Sequence, residues 1–167
     1  MLYPSRHGHP LDLVSLSHQD TNVLLARARA LQRAGRAGTL QLLLRGKNLG
    51  LLCESADSDD AELFRRAGLT LGANVAHVRP SLSAQSSPNE VQLTARMLGR
   101  LYDAVECQGM DGALVRQVGR DAGVPVYDGI AALTHPTAKL ADLLGGDASP
   151  ADGRLIVLQA VLVSTLS

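Results

Sequence analysis

The 167 residues hold sixteen basic and sixteen acidic side chains, so there is no formal net charge at pH 7, and 46% of the chain is hydrophobic against 19% charged. That length buries one proper core and is too short for two ordinary catalytic domains, so any active site lies within one domain or is shared between subunits. The composition excludes a disordered chain, and the charge balance removes the net field that would draw the protein to nucleic acid or an anionic membrane.

In chain order, residues 1–10 read as an N-terminal tail. Its Arg6-His7-Gly8-His9 stretch offers two imidazoles, but histidines in a Pro/Gly-flanked terminus read as loosely docked, not as a metal site. The tail lacks the charged and apolar regions of a secretory leader. Ser17 followed by Asp20 resembles a capping box, and the Ala, Leu and Arg-rich stretch to Ala34 predicts a helix that Gly35 and Gly38 stop. Arg27, Arg29, Arg33 and Arg36 give it a basic flank, read as a solvated face.

Leu49-Gly50-Leu51-Leu52-Cys53 is a short continuous apolar run, the pattern of a buried parallel strand. Asp57-Ser58-Asp59-Asp60-Ala61-Glu62 opens a second helix to about Leu71, its acids matched to the positive helix N-terminus. Asn74 to Val78 is the next strand. Ser87, Pro88 and Glu90 then start a third helix that runs from Pro88 to Tyr102. A strand over Ala104 to Gln108, a helix over Asp111 to Ala122 and a strand over Val124 to Tyr127 follow.

Thr134-His135-Pro136 opens a fifth helix that ends before Gly145-Gly146, with Thr134 or His135 as its cap. Gly145 to Gly153 reads as a linker, and Arg154 to Leu166 is apolar enough for a buried helix or a strand. Strand followed by helix, four times over, predicts an α/β fold: a single three-layer domain with a four-stranded parallel sheet flanked by helices, ligands being received at the carboxyl ends of the strands. Cys53 and Cys107 lie far apart with no metal or redox spacing and read as small buried hydrophobes, in keeping with a reducing cytoplasm. The longest apolar run, Leu155 to Val163, is interrupted by Gln159 and too short to span a bilayer.

Three segments together resemble the ornithine/aspartate carbamoyltransferase family. Thr94-Ala95-Arg96-Met97-Leu98-Gly99-Arg100-Leu101-Tyr102-Asp103-Ala104-Val105 is similar to the family's D-T-A-R-V-L-G-R-M-Y-D-G-I; Val124-Pro125-Val126-Tyr127-Asp128-Gly129-Ile130 is similar to V-P-V-I-N-G-L; and His135-Pro136-Thr137-Ala138-Lys139-Leu140-Ala141-Asp142 is similar to H-P-x-Q-x-L-A-D. The resemblance covers residues 11–144 and implies a carbamoyl-phosphate-binding, N-terminal-domain-like fold. Residues 154–167 resemble the family's C-terminal N-R-L-H-x-x-K-A-V-L helix, which implies a helix packing back on the domain, with residues 145–153 standing where the amino-acid-binding domain and its S-M-G and H-C-L-P motifs would be.

The resemblance also says what has changed. The family holds carbamoyl phosphate with an S-T-R-T motif at a helix N-terminus, and the matching positions here are Asp57, Ser58, Asp59 and Asp60. At about 4 Å and an effective dielectric near 20, two unit charges interact by roughly 4 kcal/mol, so Asp59 in place of the arginine turns attraction into repulsion, doubled for a dianion. A micromolar ligand has only about 8 kcal/mol in all. The family's carbamoyl-contacting arginine falls at Gln108 and the glutamine of H-P-x-Q at Ala138, whereas His135 and Pro136 remain. The expectation is therefore a vestigial site at Asp57, Ser58, Asp59, Asp60, Gln108, His135 and Ala138, with no catalytic residue, cofactor or metal, and His135 reduced to a helix cap. Asp57, Asp59, Asp60 and Glu62 leave open a second reading, an altered enzyme or binder that receives a cation or amine in the acidic strand-end cleft. Family members assemble as trimers through this domain, which implies a non-catalytic scaffold, regulator or partner in amino-acid metabolism. A homotrimer, or association with an active carbamoyltransferase, is the expected assembly.

Overall fold

The computed structural model describes residues 2–3 and 11–166, so residues 4–10, including the Arg6-His7-Gly8-His9 stretch, lie outside the described residues. Four strands form a parallel sheet: β3 (Asn48–Leu52), β4 (Asn74–Val78), β5 (Ala104–Cys107) and β6 (Val126–Asp128), in the order β4-β3-β5-β6. The register sets Leu49 of β3 opposite Val75 of β4 and Ala104 of β5, and Val105 of β5 opposite Val126 of β6. A separate antiparallel pair joins β1 (Leu2–Tyr3) to β2 (Leu11–Asp12). The sequence reading has only a tail there; Leu11 and Leu13 are buried and anchor the second of these strands.

Helices cover both faces of the sheet. On one lie α3 (Pro88–Leu101) and α4 (Gly112–Ala122), whose Val91, Ala95, Leu98, Leu114, Val115 and Val118 pack on Val105, Cys107 and Val126. On the other lie α1 (His18–Arg36), α2 (Asp59–Thr70), the short α5 (Leu140–Leu143) and α6 (Pro150–Leu166), around Leu49, Leu51, Ala104 and Tyr127. Alternate residues of each buried strand thus feed opposite cores, as a two-residue side-chain period requires. Cys53 and Cys107 belong to different cores.

Local chemistry sets the helix starts. Ser17 and Asp20 bond reciprocally at α1, and Ser87 and Glu90 do so at α3 with Pro88 in the first turn, both as capping boxes. The α1 helix runs through Gly35 to Arg36, with Gly38 at φ +69° beyond it. Other expected boundaries differ as well. The fifth helix is a 3-10 turn, Pro136–Lys139, running into the four-residue α5. The fourth strand starts at Val126 and not at Val124, although the Pro125 carbonyl still accepts from Val105 N–H at 2.9 Å. The tail is a helix that begins at Pro150, inside the stretch read as a linker, because Ser149 Oγ accepts from Asp152 N–H at 3.2 Å while Pro150 opens the first turn.

Seven consecutive residues of α6, Val157 to Val163, are buried, so this helix is enclosed all round by α1, α2, α5 and the sheet. Tyr127 of β6 and Thr165 of α6 share a buried 2.5 Å hydrogen bond that fixes its far end to the sheet. Across the sheet, α3 and α4 approach so closely at Gly99 that a Cβ there would stand 1.8 Å from the carbonyl oxygen of Ala122. Gly99→Ala is therefore expected to destabilise the fold by about 1–3 kcal/mol or more, because helix backbone, not a flexible side chain, has to move. Urea denaturation measures this, and a loss below about 0.5 kcal/mol, the range of a neutral surface change, would show that the two helices have slack.

Candidate functional site

Because all four strands run parallel, the loops after β3, β4, β5 and β6 share one end of the sheet, where an α/β fold receives ligands. Those loops are stitched together by backbone. Gln108 N–H donates to Leu52 O at 2.9 Å, Gly129 N–H to Cys107 O at 2.9 Å, and His77 Nε2 donates to Cys53 O at 2.7 Å.

At the start of α2, Ser58 is the N-cap: its Oγ accepts from Ala61 N–H at 3.1 Å, so the one hydroxyl of the Asp57-Ser58-Asp59-Asp60 run already serves the helix. Asp57 and Asp59 are exposed and Asp60 is half-buried. The nearby guanidinium of Arg65 is occupied, pairing with Glu62 at 2.7 Å and donating to Ala56 O at 3.2 Å. The positive helix end therefore faces carboxylates already in place, which oppose a second anion. Among the described residues no group of three or more His, Cys, Asp or Glu is placed to hold a metal.

Gln108 does not reach outward. Its side chain turns back and donates from Nε2 to Glu106 Oε2 at 3.3 Å, leaving Oε1 buried without a partner. Glu106 is fully buried in the central strand β5, and its two oxygens accept from the N–H groups of Ile130 (3.1 Å) and Ala131 (3.2 Å). Burial outweighs these donors and pushes its carboxyl up to about 8. This residue fastens the loop after β6 to β5, and the sequence reading passes over it because it sits within an otherwise apolar strand. The available signal is a charged residue at the inward-facing position between Ala104 and Gln108.

His135 caps the 3-10 turn. Its Nδ1 accepts from Thr137 N–H at 3.2 Å and lies 2.8 Å from Thr137 Oγ1, so the ring proton sits on Nε2. Burial pulls the imidazole down to about 4, so it is neutral at pH 7 and retains the form that donates to a carbonyl. Ala138 lines a small cavity with Leu63, Ile130 and Arg154, and Arg154 also donates to the Ala131 carbonyl. Among the described residues no hydrogen bond or ion pair joins Asp57, Ser58, Asp59 or Asp60 to Gln108, His135 or Ala138.

The family model for the aspartate/ornithine carbamoyltransferase carbamoyl-phosphate binding domain matches residues 8–145. This chain belongs to that family. The ornithine carbamoyltransferase of Actinobacillus pleuropneumoniae is 37% identical over 144 residues, covering 86% of this chain and 43% of the relative. The catabolic enzyme of Pseudomonas putida is 37% identical over 139 residues, 81% and 41% of the two chains. Among solved structures, the ornithine carbamoyltransferase from Pyrococcus furiosus superposes with a TM-score of 0.68 at 25% identity, over 80% of this chain and 43% of its own. The chain thus spans less than half the length of the carbamoyltransferases it matches.

The raised Glu106 carboxyl makes stability depend on pH. Between its ordinary value of 4.5 and about 8 the folded chain holds a proton that the unfolded chain has lost, so this group's contribution declines as pH rises through that window. The difference in melting temperature between Glu106→Gln and the native chain should therefore grow in favour of the variant from pH 5 to pH 8. A difference that is flat with pH would show that the carboxyl ionises normally in the fold.

Proposed function

We propose that this chain is a carbamoyltransferase-family domain that no longer receives carbamoyl phosphate and acts through association, as an oligomeric scaffold, a regulator or a partner of an active transferase. The observation that carries the reading is the N-terminus of α2, where Ser58 is committed to capping and Asp57, Asp59 and Asp60 stand where an anion would enter. The inward-turned Gln108 supports it, since that side chain bonds to Glu106 and offers no charge to a substrate. In this reading residues 154–167 are the counterpart of the family's C-terminal helix, and His135 and Ala138 are remnants of the old site. The family's named members are enzymes; the side chains at the start of α2 and at Gln108 support the loss of activity in this chain.

Association draws support from the surface. Leu93, Met97 and Leu101 stand at i, i+4 and i+8 on α3 and are 58%, 52% and 56% exposed, an apolar stripe on a helix face. The assembly we propose is a homotrimer, with a dimer as the second arrangement.

Two measurements test this reading. The purified chain should form no citrulline or carbamoyl-aspartate from carbamoyl phosphate with ornithine or aspartate, and turnover above the uncatalysed rate, in a sample free of host transferase, would refute the loss of catalysis. Light scattering at micromolar concentration should give about three times the chain mass of 17.6 kDa. A clean monomer would remove the basis for a role in association.

A further inference from the structure

Away from the strand ends, a cleft of about 610 Å³ opens between α1, the end of α2 and the first turns of α6. None of Asp57, Ser58, Asp59, Asp60, Gln108, His135 or Ala138 borders it. Its volume lies in the range of about 300–1,000 Å³ common to small-molecule sites. Leu31 and Leu40 form one apolar wall, and Leu155 and Ile156 form the other.

Two carboxamides border this cleft without a hydrogen-bond partner among the described residues. Gln159, only 4% exposed, lies on α6 among buried aliphatic residues, and among the described residues its side chain has no hydrogen-bond partner. Gln32 of α1 lines the same cleft, and its Nε2 is buried without a partner. An amide N–H removed from water without a new partner, as at Gln32, destabilises a fold, while Gln159 has neither a partner among the described residues nor a fully enclosed amide and so meets the cleft. Two carboxamides without a protein partner at one hollow can both bond to a molecule that enters it.

Charge narrows the class. Arg36 lines the cleft together with Asp147 and Asp152, and no ion pair joins them among the described residues. All three are exposed, where solvent screens them, so they give neither an anion nor a cation a strong hold, although their balance of one negative charge disfavours an anion. The cleft groups that lack a protein partner are neutral amides, whose best complement is a neutral donor and acceptor.

We infer that this cleft binds a small amphipathic molecule with an aliphatic body and an uncharged carbonyl or amide head. The body lies on Leu31, Leu40, Leu155 and Ile156, and the head bonds to the carboxamides of Gln159 and Gln32. This site is independent of the strand-end loops, so it stands whether or not the domain has lost carbamoyl phosphate.

The test titrates hexanamide, hexanoate and hexylamine, separately and at millimolar concentration, into the full chain, following side-chain methyl and carboxamide resonances by NMR. Hexanamide should produce saturable shifts at Leu155, Ile156 and the Gln159 amide, and should bind more tightly than its charged analogues. Gln159→Leu should weaken hexanamide at least tenfold without lowering the melting temperature. If that variant does not fold, Gln32→Leu, at a half-buried position, should still weaken binding at least threefold. No saturable shift at the cleft, tighter binding of hexanoate or hexylamine, or unchanged hexanamide affinity in the folded variants would overturn the assignment.

Discussion

A helix that is apolar on every side has to be surrounded, and α6 imposes that requirement on half of this domain. Val157, Leu158, Ala160, Val161, Leu162 and Val163 are all buried, and a fully buried valine or leucine contributes about 1.5–3 kcal/mol. To cover them, α1 and α2 close over α6 while the sheet supplies the floor through Leu49, Leu51 and Tyr127. Arg29 adds a polar tie by donating to the carbonyl of Leu143 at 3.1 Å, which holds the chain just before α6 against α1. The position of α2, and hence of its N-terminus at the strand ends, follows from this packing. Gly68 of α2 shows how close the contact is, since a Cβ there would stand 3.0 Å from both Leu49 and Val75.

The scaffold presents a helix N-terminus at the strand ends, and the side chains around that terminus are acidic. A helix end bearing Asp57, Asp59, Asp60 and Glu62 is electrostatically satisfied before any ligand arrives. At contact distance and an effective dielectric near 20, a carboxylate there opposes each negative charge of a ligand by roughly 4 kcal/mol. Nothing in the loop compensates, because Arg65 is engaged by Glu62 and by the Ala56 carbonyl. Around Glu106 the polar groups are turned inward, and this strand end is built to hold the 129–131 loop in place.

Much of this was legible in the sequence where one signal dominated. The alternation of apolar runs with capped helices specified the parallel sheet, and Ser17 with Asp20 and Ser87 with Glu90 made the bonds their spacing predicts. The signals that failed were mixed ones. Ser149-Pro150-Ala151-Asp152 carries a helix-start pattern, but the glycines and aspartate before it have the composition of a linker. Pro136 favours the opening of a helix, yet His135 capping Thr137 commits the next turn to the tighter 3-10 form. The two-residue β1–β2 pair is too short to leave a period. At the candidate site, residue identity at the α2 N-terminus was readable, but the inward turn of Gln108 depends on where Glu106 lies and needed coordinates.

In the proposed reading, the acidic start of α2 excludes a phosphorylated ligand that the backbone there would otherwise accept. Isothermal calorimetry of carbamoyl phosphate against the native chain, beside the variant Asp57→Ser, Ser58→Thr, Asp59→Arg, Asp60→Thr, measures this directly. The native chain should give no saturable heat, and the variant should bind measurably. Micromolar binding by the native chain would contradict that reading.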